Sequence, residues 1–428
     1  MAPPGRLQQL VTRLLGDRRA RGPSPTATVL VRALASGAPP ERRAVRRRTA
    51  AELVGDPVLL LVAGLLIAAG LGAVYAATRD SLTLTGASGT RYVARDAINV
   101  GVALAVGLFV AMFGHRRLLR LAPALFTVAC VALLGVLTPA GATINGAKAW
   151  YALGPVQVEP SQLAVLAFIV LVAAQLGPHV AGVRSRPGTA GRLPAVPVLL
   201  CAGGGALVAA LIVAEPALGM TVVLAVVAAG LLVLAGLRAR TLTLTAVVGA
   251  ALGVAAWHAG VIKPYQQHRL TAFLHPQLSD STGYQVLQAL TAVGSGGLTG
   301  QGLLNGSQTN GGFVPEQPTD FVFTAIAEET GFVGAAVVLV LLAWLCVRAL
   351  RIASAAGDGE GLLLAGGLGV WFAIQTFINV GMAVGIMPVT GIPLPLISYG
   401  GSALCVDLIA VALLASIARQ TAAAPRRT

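Results

Sequence analysis

The chain has 428 residues, of which 56% are hydrophobic and 11% charged, with a formal net charge of +14. A soluble domain carries about 25% charged residues, so together with a mean hydropathy of +0.80 this composition excludes a water-soluble globular class. Cys130, Cys201, Cys346 and Cys405 all stand in apolar runs, as small packing residues rather than disulfide partners.

Residues 1–54 hold 11 arginines, several prolines and little apolar periodicity. That composition predicts a disordered basic tail that can rest on anionic lipid. It offers no folded basic face for nucleic acid, and no apolar core of secretory-signal length.

Apolar runs follow near 57–77, 97–113, 123–142, 161–177, 195–213, 218–237, 242–259, 321–347, 361–387 and 402–418. Each approaches the length that crosses ~30 Å of hydrocarbon. The expected fold is all-α: a polytopic membrane domain over 55–420 with about ten transmembrane helices and a large polar loop between spans seven and eight. Residues 421–428 form a short C-terminal tail. Alternate loops collect basic residues on one side: Arg116, Arg117, Arg120, Arg184, Arg186, Arg192, Arg238, Arg240, Arg348, Arg351, Arg419, Arg426 and Arg427. The other side holds Arg79, Arg91, Arg95, Lys148, Lys263 and Arg269. By the positive-inside rule both termini are cytoplasmic.

The polar, Gly- and Pro-rich segments then gather on the outer side. They are "NGAKAWYALGPVQVEPSQ" (Asn145–Gln162), the stretch from about 260 to 320, and "PVTGIPLPLISYGGS" (Pro388–Ser402). From Val293 to Gly312 eight residues are glycine. Backbone of this kind is tolerated at membrane depth only where it lines protein or water, so the loops should enclose one polar cavity, with the glycines as a flexible cover.

These segments carry a resemblance. "TGIPLPLISYGGS" is similar to the TGIPLPF-SYGGS signature of the SEDS family (shape, elongation, division and sporulation), most closely its RodA-type branch. "GYQVLQALTAVGSGGLTGQGLLNGSQ" with "FVPEQPTDFVFTAIAEETGFVG" resembles the family's GYQ, GSGG, PE, TDF and AEE-G run, and "GAKAWYALGP…EPS" its tryptophan loop. Asn379, Gly381 and Met382 match an N-GM element. The resemblance covers residues 57–420 and implies a peptidoglycan polymerase. Its members join lipid II disaccharides into glycan on an undecaprenyl pyrophosphate carrier, outside the membrane, beside a class B penicillin-binding transpeptidase. The family's catalytic aspartate precedes GYQ, a place taken here by Asp280 in "HPQLSDSTGYQ". His275 stands where an aspartate is common, and the stretch from Pro276 to Gly283 is one residue short.

The chemistry asks for little more. A pyrophosphate leaving group needs no strong acid, whereas the acceptor hydroxyl needs one base, the role given to Asp280. Cations would offset the developing phosphate charge. Lys148, Trp150, Arg269, Tyr284, Gln285, Glu316, Glu328 and Ser398 are the candidate substrate-binding set. Glu316, Thr319 and Asp320 are also placed to cap the following helix, and Glu329 shares the buried start of that span. Asp407 has no counterpart in the family pattern. His115 and His179 are lone, and no residues show metal-ligand spacing. No cofactor is required, although a divalent cation (Mg²⁺ or Mn²⁺) is compatible with the chemistry.

One group of positions departs from the family. Where members show QPSE–AK and QPDLGT, this chain reads "EPSQLAV" and "EPALG": Gln162, Val165 and Ala217 replace Glu, Lys and Asp, while Glu159 and Glu215 replace glutamines. An ionic network has been removed as a unit, which is cheaper than removing one partner. Two other functions use the same features: a flippase for lipid-linked precursors, or a non-catalytic scaffold for the transpeptidase. Transporters tend to show inverted repeats, and none is visible here.

Overall fold

In hydrocarbon a backbone N–H has no water to bond, so long apolar runs satisfy their hydrogen bonds internally as helices. The computed structural model describes residues 55–79, 90–144, 147–153, 156–184, 193–237, 239–260, 264–276 and 281–423. The basic tail therefore lies outside the described residues. The helices are α1 (Pro57–Arg79), α2 (Thr90–Phe113), α3 (His115–Arg120), α4 (Ala122–Leu137), α5 (Pro160–Arg184), α6 (Ala195–Ala214), α7 (Leu218–Leu234), α8 (Ala239–His258), α9 (Pro264–Ala272), α10 (Ser281–Ser295), α11 (Ser307–Asn310), α12 (Val322–Ala355), α13 (Gly359–Ala383) and α14 (Gly401–Ala423). Eight of them, α1, α2, α5, α6, α8, α12, α13 and α14, are long and apolar enough to cross a membrane. Apolar α4 and α7 occupy the third and sixth places of the expected ten but have only 16 and 17 residues. At 1.5 Å per residue they reach about 24–26 Å.

The centre of the bundle is α5, α13 and α14, each with 72% of its spanning window buried. α13 packs on α5, α7 and α12; α14 packs on α2, and α1 lies against α12. Around them Leu61, Met112, Val128, Leu199 and Phe332 are exposed. An apolar exterior of this extent is sustained by lipid rather than water. The protein is a multi-pass membrane protein. At one end Asp56 accepts from the N–H groups of Val58 and Leu59, both at 3.1 Å, and so caps α1. The Arg348 guanidinium also donates to Asp56, with Nε at 2.9 Å, tying α1 to the far half of α12.

The tryptophan loop differs from expectation. The third apolar run ends at Leu137 rather than near 142, and the chain folds into a three-stranded antiparallel sheet. The strands are β1 (Ala142–Ile144), β2 (Ala147–Leu153) and β3 (Val156–Val158). Trp150 pairs with Ala142, and Tyr151 with Val158. Strand pairing satisfies backbone that the glycines and proline of this segment keep out of a helix. The Tyr151 hydroxyl anchors the sheet to α4, donating to the Ala132 carbonyl at 2.7 Å. At the other end of the chain α14 runs to Ala423, through the boundary expected at 420.

Candidate functional site

The glycine segment is docked rather than loose. α12 kinks at Gly331 (φ 67°, ψ −167°), which breaks its own ladder. The exposed backbone groups find partners in the segment. Gln301 and Gly302 N–H donate to the carbonyls of Glu328 and Glu329, both at 3.0 Å, while Phe332 and Val333 donate to Gly297 and Leu298 at 2.9 and 3.2 Å. A Cβ on Gly331 would lie 2.3 Å from the Gly300 nitrogen, and one on Gly300 2.1 Å from the Glu329 carbonyl oxygen. Glycine is needed here because backbone touches backbone. The expectation of a flexible cover is corrected on this point.

Glu328 completes the docking. Fully buried on the first half of α12, its carboxylate accepts from Gln308 N–H at 2.7 Å, Thr309 N–H at 3.0 Å and Thr309 Oγ1 at 2.7 Å. The hydroxyls of Ser307 and Ser295 approach it at 3.3 and 3.4 Å. Neighbouring Glu329 is buried with Oε1 unpartnered among the described residues.

A second construction holds the Thr390–Ser402 stretch. Asn379 Nδ2 donates to the carbonyls of Asp320 and Ile392, each at 2.8 Å, so one α13 amide joins two loops. Tyr399 N–H reaches the Pro318 carbonyl at 2.9 Å. Asp407, on α14, accepts from Leu396 N–H at 2.9 Å, which gives this buried acid a partner at a residue with φ of 62°. Ser398 Oγ accepts from Leu394 N–H at 2.8 Å within the same turn.

Between these loops lies a cleft of about 290 Å³ lined by Pro216, Leu218, Gly219, Gln266, Arg269, Leu270, Val389 and Thr390. Arg269 and Gln266 come from α9, and Gln266 is fixed by donating to the Pro216 carbonyl at 3.1 Å. Half-buried Asp320 feels the Arg269 charge, but burial first and Glu316 second push its carboxyl up to about 7. The expected capping of α12 by side chains is not found. Phe321 holds the cap position without a side-chain bond, and the Glu316 carbonyl gathers the N–H groups of Thr319, Asp320 and Phe321.

Beside the cleft, the departures named above fall together. Glu159 accepts from Ser161 Oγ at 2.6 Å and from Gln162 Nε2 at 2.9 Å, one on each oxygen. Glu215, in the turn between α6 and α7, is 0% exposed, and neither of its oxygens has a partner. Burial, then the Glu159 charge, pushes Glu215 up to about 8. Glu159 is raised by burial as well, with its two donors opposing the shift. Val165 is wholly inside the core, without the cation of the family pattern.

The candidate residues are thus spread over distinct roles. Asp280 lies outside the described residues, immediately before α10 begins. Arg269 is in the cleft. Tyr284 is exposed and Gln285 half-buried on α10, and Glu316 is exposed. Lys148 donates to the Leu137 carbonyl at 3.2 Å, with half-buried Trp150 two residues along β2. Glu328 and Ser398 spend their oxygens on backbone. Lone His115 is buried with Nδ1 2.9 Å from Ser416 Oγ. Sequence reasoning missed Gln266 and Thr390; the only available signal was the short polar run "PYQQHRLTA" between apolar stretches.

A lipid-embedded helical bundle with one polar cleft roofed by loops is the class that fold and site define. The family described as "Cell cycle protein" (FtsW, RodA and SpoVE) matches residues 56–423, and the chain belongs to it. It is 36% identical over 374 residues to the probable peptidoglycan glycosyltransferase FtsW of Aromatoleum aromaticum, covering 84% of this chain and 87% of that protein. To the peptidoglycan glycosyltransferase MrdB of Escherichia coli K12 it is 33% identical, covering 85% and 93%. Among solved structures it resembles a chain of a peptidoglycan synthase complex that coordinates polymerization and crosslinking (TM-score 0.70, 28% identity, 86% of this chain and 99% of that one). It also resembles the rod shape determining protein RodA of Thermus thermophilus (TM-score 0.61, 27% identity, 86% and 98%).

Proposed function

We propose that this chain is a peptidoglycan glycosyltransferase that moves the growing glycan from its undecaprenyl pyrophosphate carrier onto lipid II. The observation that carries the reading is the cleft, which sets one cation, Arg269, among apolar walls from Leu218, Leu270 and Val389. A lipid-linked pyrophosphate has that composition. In sequence Asp280 falls between the helix that brings Arg269 to the cleft and the helix that starts at Ser281. Asp280 takes the proton from the acceptor sugar hydroxyl as that oxygen bonds to the donor's anomeric carbon. The bond from that carbon to the phosphate oxygen breaks, and the carrier pyrophosphate leaves with its charge offset by Arg269. Lipid tethering of both substrates supplies proximity.

Both termini face the cytoplasm on this reading, the cleft faces outward, and a class B penicillin-binding transpeptidase is the partner. Purified protein with its partner should convert lipid II into glycan. Asp280→Ala and Asp280→Asn should each lower that rate by at least about 100-fold, in the range of general-base loss, with expression and transpeptidase binding intact. Wild-type rates in both variants would remove Asp280 from the mechanism.

A further inference from the structure

Glu215 is the least satisfied charged group among the described residues. Protonated, its hydroxyl has no acceptor and its carbonyl no donor; ionised, it meets another carboxylate and no cation. Leaving buried polar atoms unpaired is costly in either form. Glu159 differs, because each of its oxygens already receives one donor yet retains a lone pair. No basic side chain among the described residues acts on either acid.

We propose that Glu159 and Glu215 together bind a divalent cation at the junction of the α5 start and the α6–α7 turn. One ion answers both orphaned Glu215 oxygens at once, which one proton cannot do. Its double charge balances the two carboxylates. The donors are all oxygen, with neither His nor Cys, which selects a hard ion over zinc. Two carboxylates with the remaining positions left to water is the usual coordination of Mg²⁺. Mn²⁺ accepts the same ligands. The ion clamps the turn that carries Pro216 and Leu218, two walls of the cleft, so that cleft shape depends on ion occupancy. This binding rests on the two carboxylates and not on the polymerase reading.

The test uses full-length protein in detergent, stripped with a chelator and titrated with Mn²⁺ while free ion is followed by paramagnetic resonance. Saturable binding of about one ion per chain is expected, displaced by Mg²⁺. Glu159→Gln and Glu215→Gln should each weaken it by about tenfold or more, while Asp280→Ala leaves it unchanged. Thermal unfolding gives a second readout. Mg²⁺ should raise the Tm of the wild type, whereas Glu215→Gln should raise the ion-free Tm and abolish the Mg²⁺ response, the reverse of what loss of a purely structural contact would do. No saturable binding, or equal binding in both Glu→Gln variants, overturns the proposal and leaves a proton or water at Glu215. Loss of the ion in Asp280→Ala alone would place it elsewhere and overturn the proposal equally.

Discussion

Replacing Glu328 with Ala should release the glycine segment without unfolding the bundle. Two backbone N–H groups, from Gln308 and Thr309, lose their acceptor at 2.7 and 3.0 Å, and buried unpaired donors cost about 1–3 kcal/mol each. The hydroxyls suffer less, because they can rotate toward other acceptors. Relief from burying a carboxylate offsets part of the loss, so about 3 kcal/mol of docking energy should disappear, which is about a hundredfold in the local opening equilibrium. Hydrogen exchange at the Gln308 and Thr309 amides reads that equilibrium directly and should accelerate by about the same factor. Glu328→Gln keeps one acceptor oxygen but turns an N–H toward donors, so an intermediate acceleration is expected. The α13 amides should not change. If exchange at 308 and 309 stays within about threefold of wild type while the whole protein melts earlier, Glu328 supports the bundle and the loop is held by something else.

Two further outcomes follow from charge. Asp320 has its folded value raised from 3.8 to about 7. The folded state therefore holds the proton more tightly, and stability present below pH 4 should be lost as pH rises to 7. After discounting for partial exposure the loss is ~1–2 kcal/mol, seen as a falling Tm that Asp320→Asn flattens; a Tm independent of pH in the wild type would contradict it. For topology, cysteines placed at the exposed positions Ser281 and Ser354 should divide. The first should react with an impermeant thiol reagent on intact cells and the second only after lysis, and the opposite pattern would invert the proposed orientation.

What was legible in the sequence follows its physics. Span positions could be read because crossing hydrocarbon demands both length and apolarity, and those are properties of single segments. The kink at Gly331 was not legible, since its meaning lies in a backbone contact with Gly300, thirty-one residues earlier. The sheet around Trp150 was hidden for a similar reason: short strands of three and seven residues carry little periodicity of their own. Glu328 was read as buried and consequential, but sequence cannot distinguish an acid that meets substrate from one that holds Thr309. Gln266 was invisible because a glutamine in a polar loop has no marker until the Pro216 carbonyl is beside it.

The relocated acids near α5 make the same point in a form that can be tested. Val165 lies wholly in the core, one helical turn beyond Gln162, where an i, i+3 pair faces one side. Installing the family's lysine alone, Val165→Lys, buries a cation with no carboxylate at 162 to receive it, and should cost about 3–5 kcal/mol. Gln162→Glu alone should be damaging too, since its amide no longer donates to Glu159 and a second buried negative charge takes its place. The pair of changes together should recover more than about 1 kcal/mol relative to their sum, the coupling typical of contacting residues. Adding Glu159→Gln should recover more, because it restores an amide–carboxylate bond with its direction reversed. Thermal unfolding of the four variants closes the cycle. Strict additivity would mean that these positions do not interact, and that the loss of the ionic network was three independent changes rather than one.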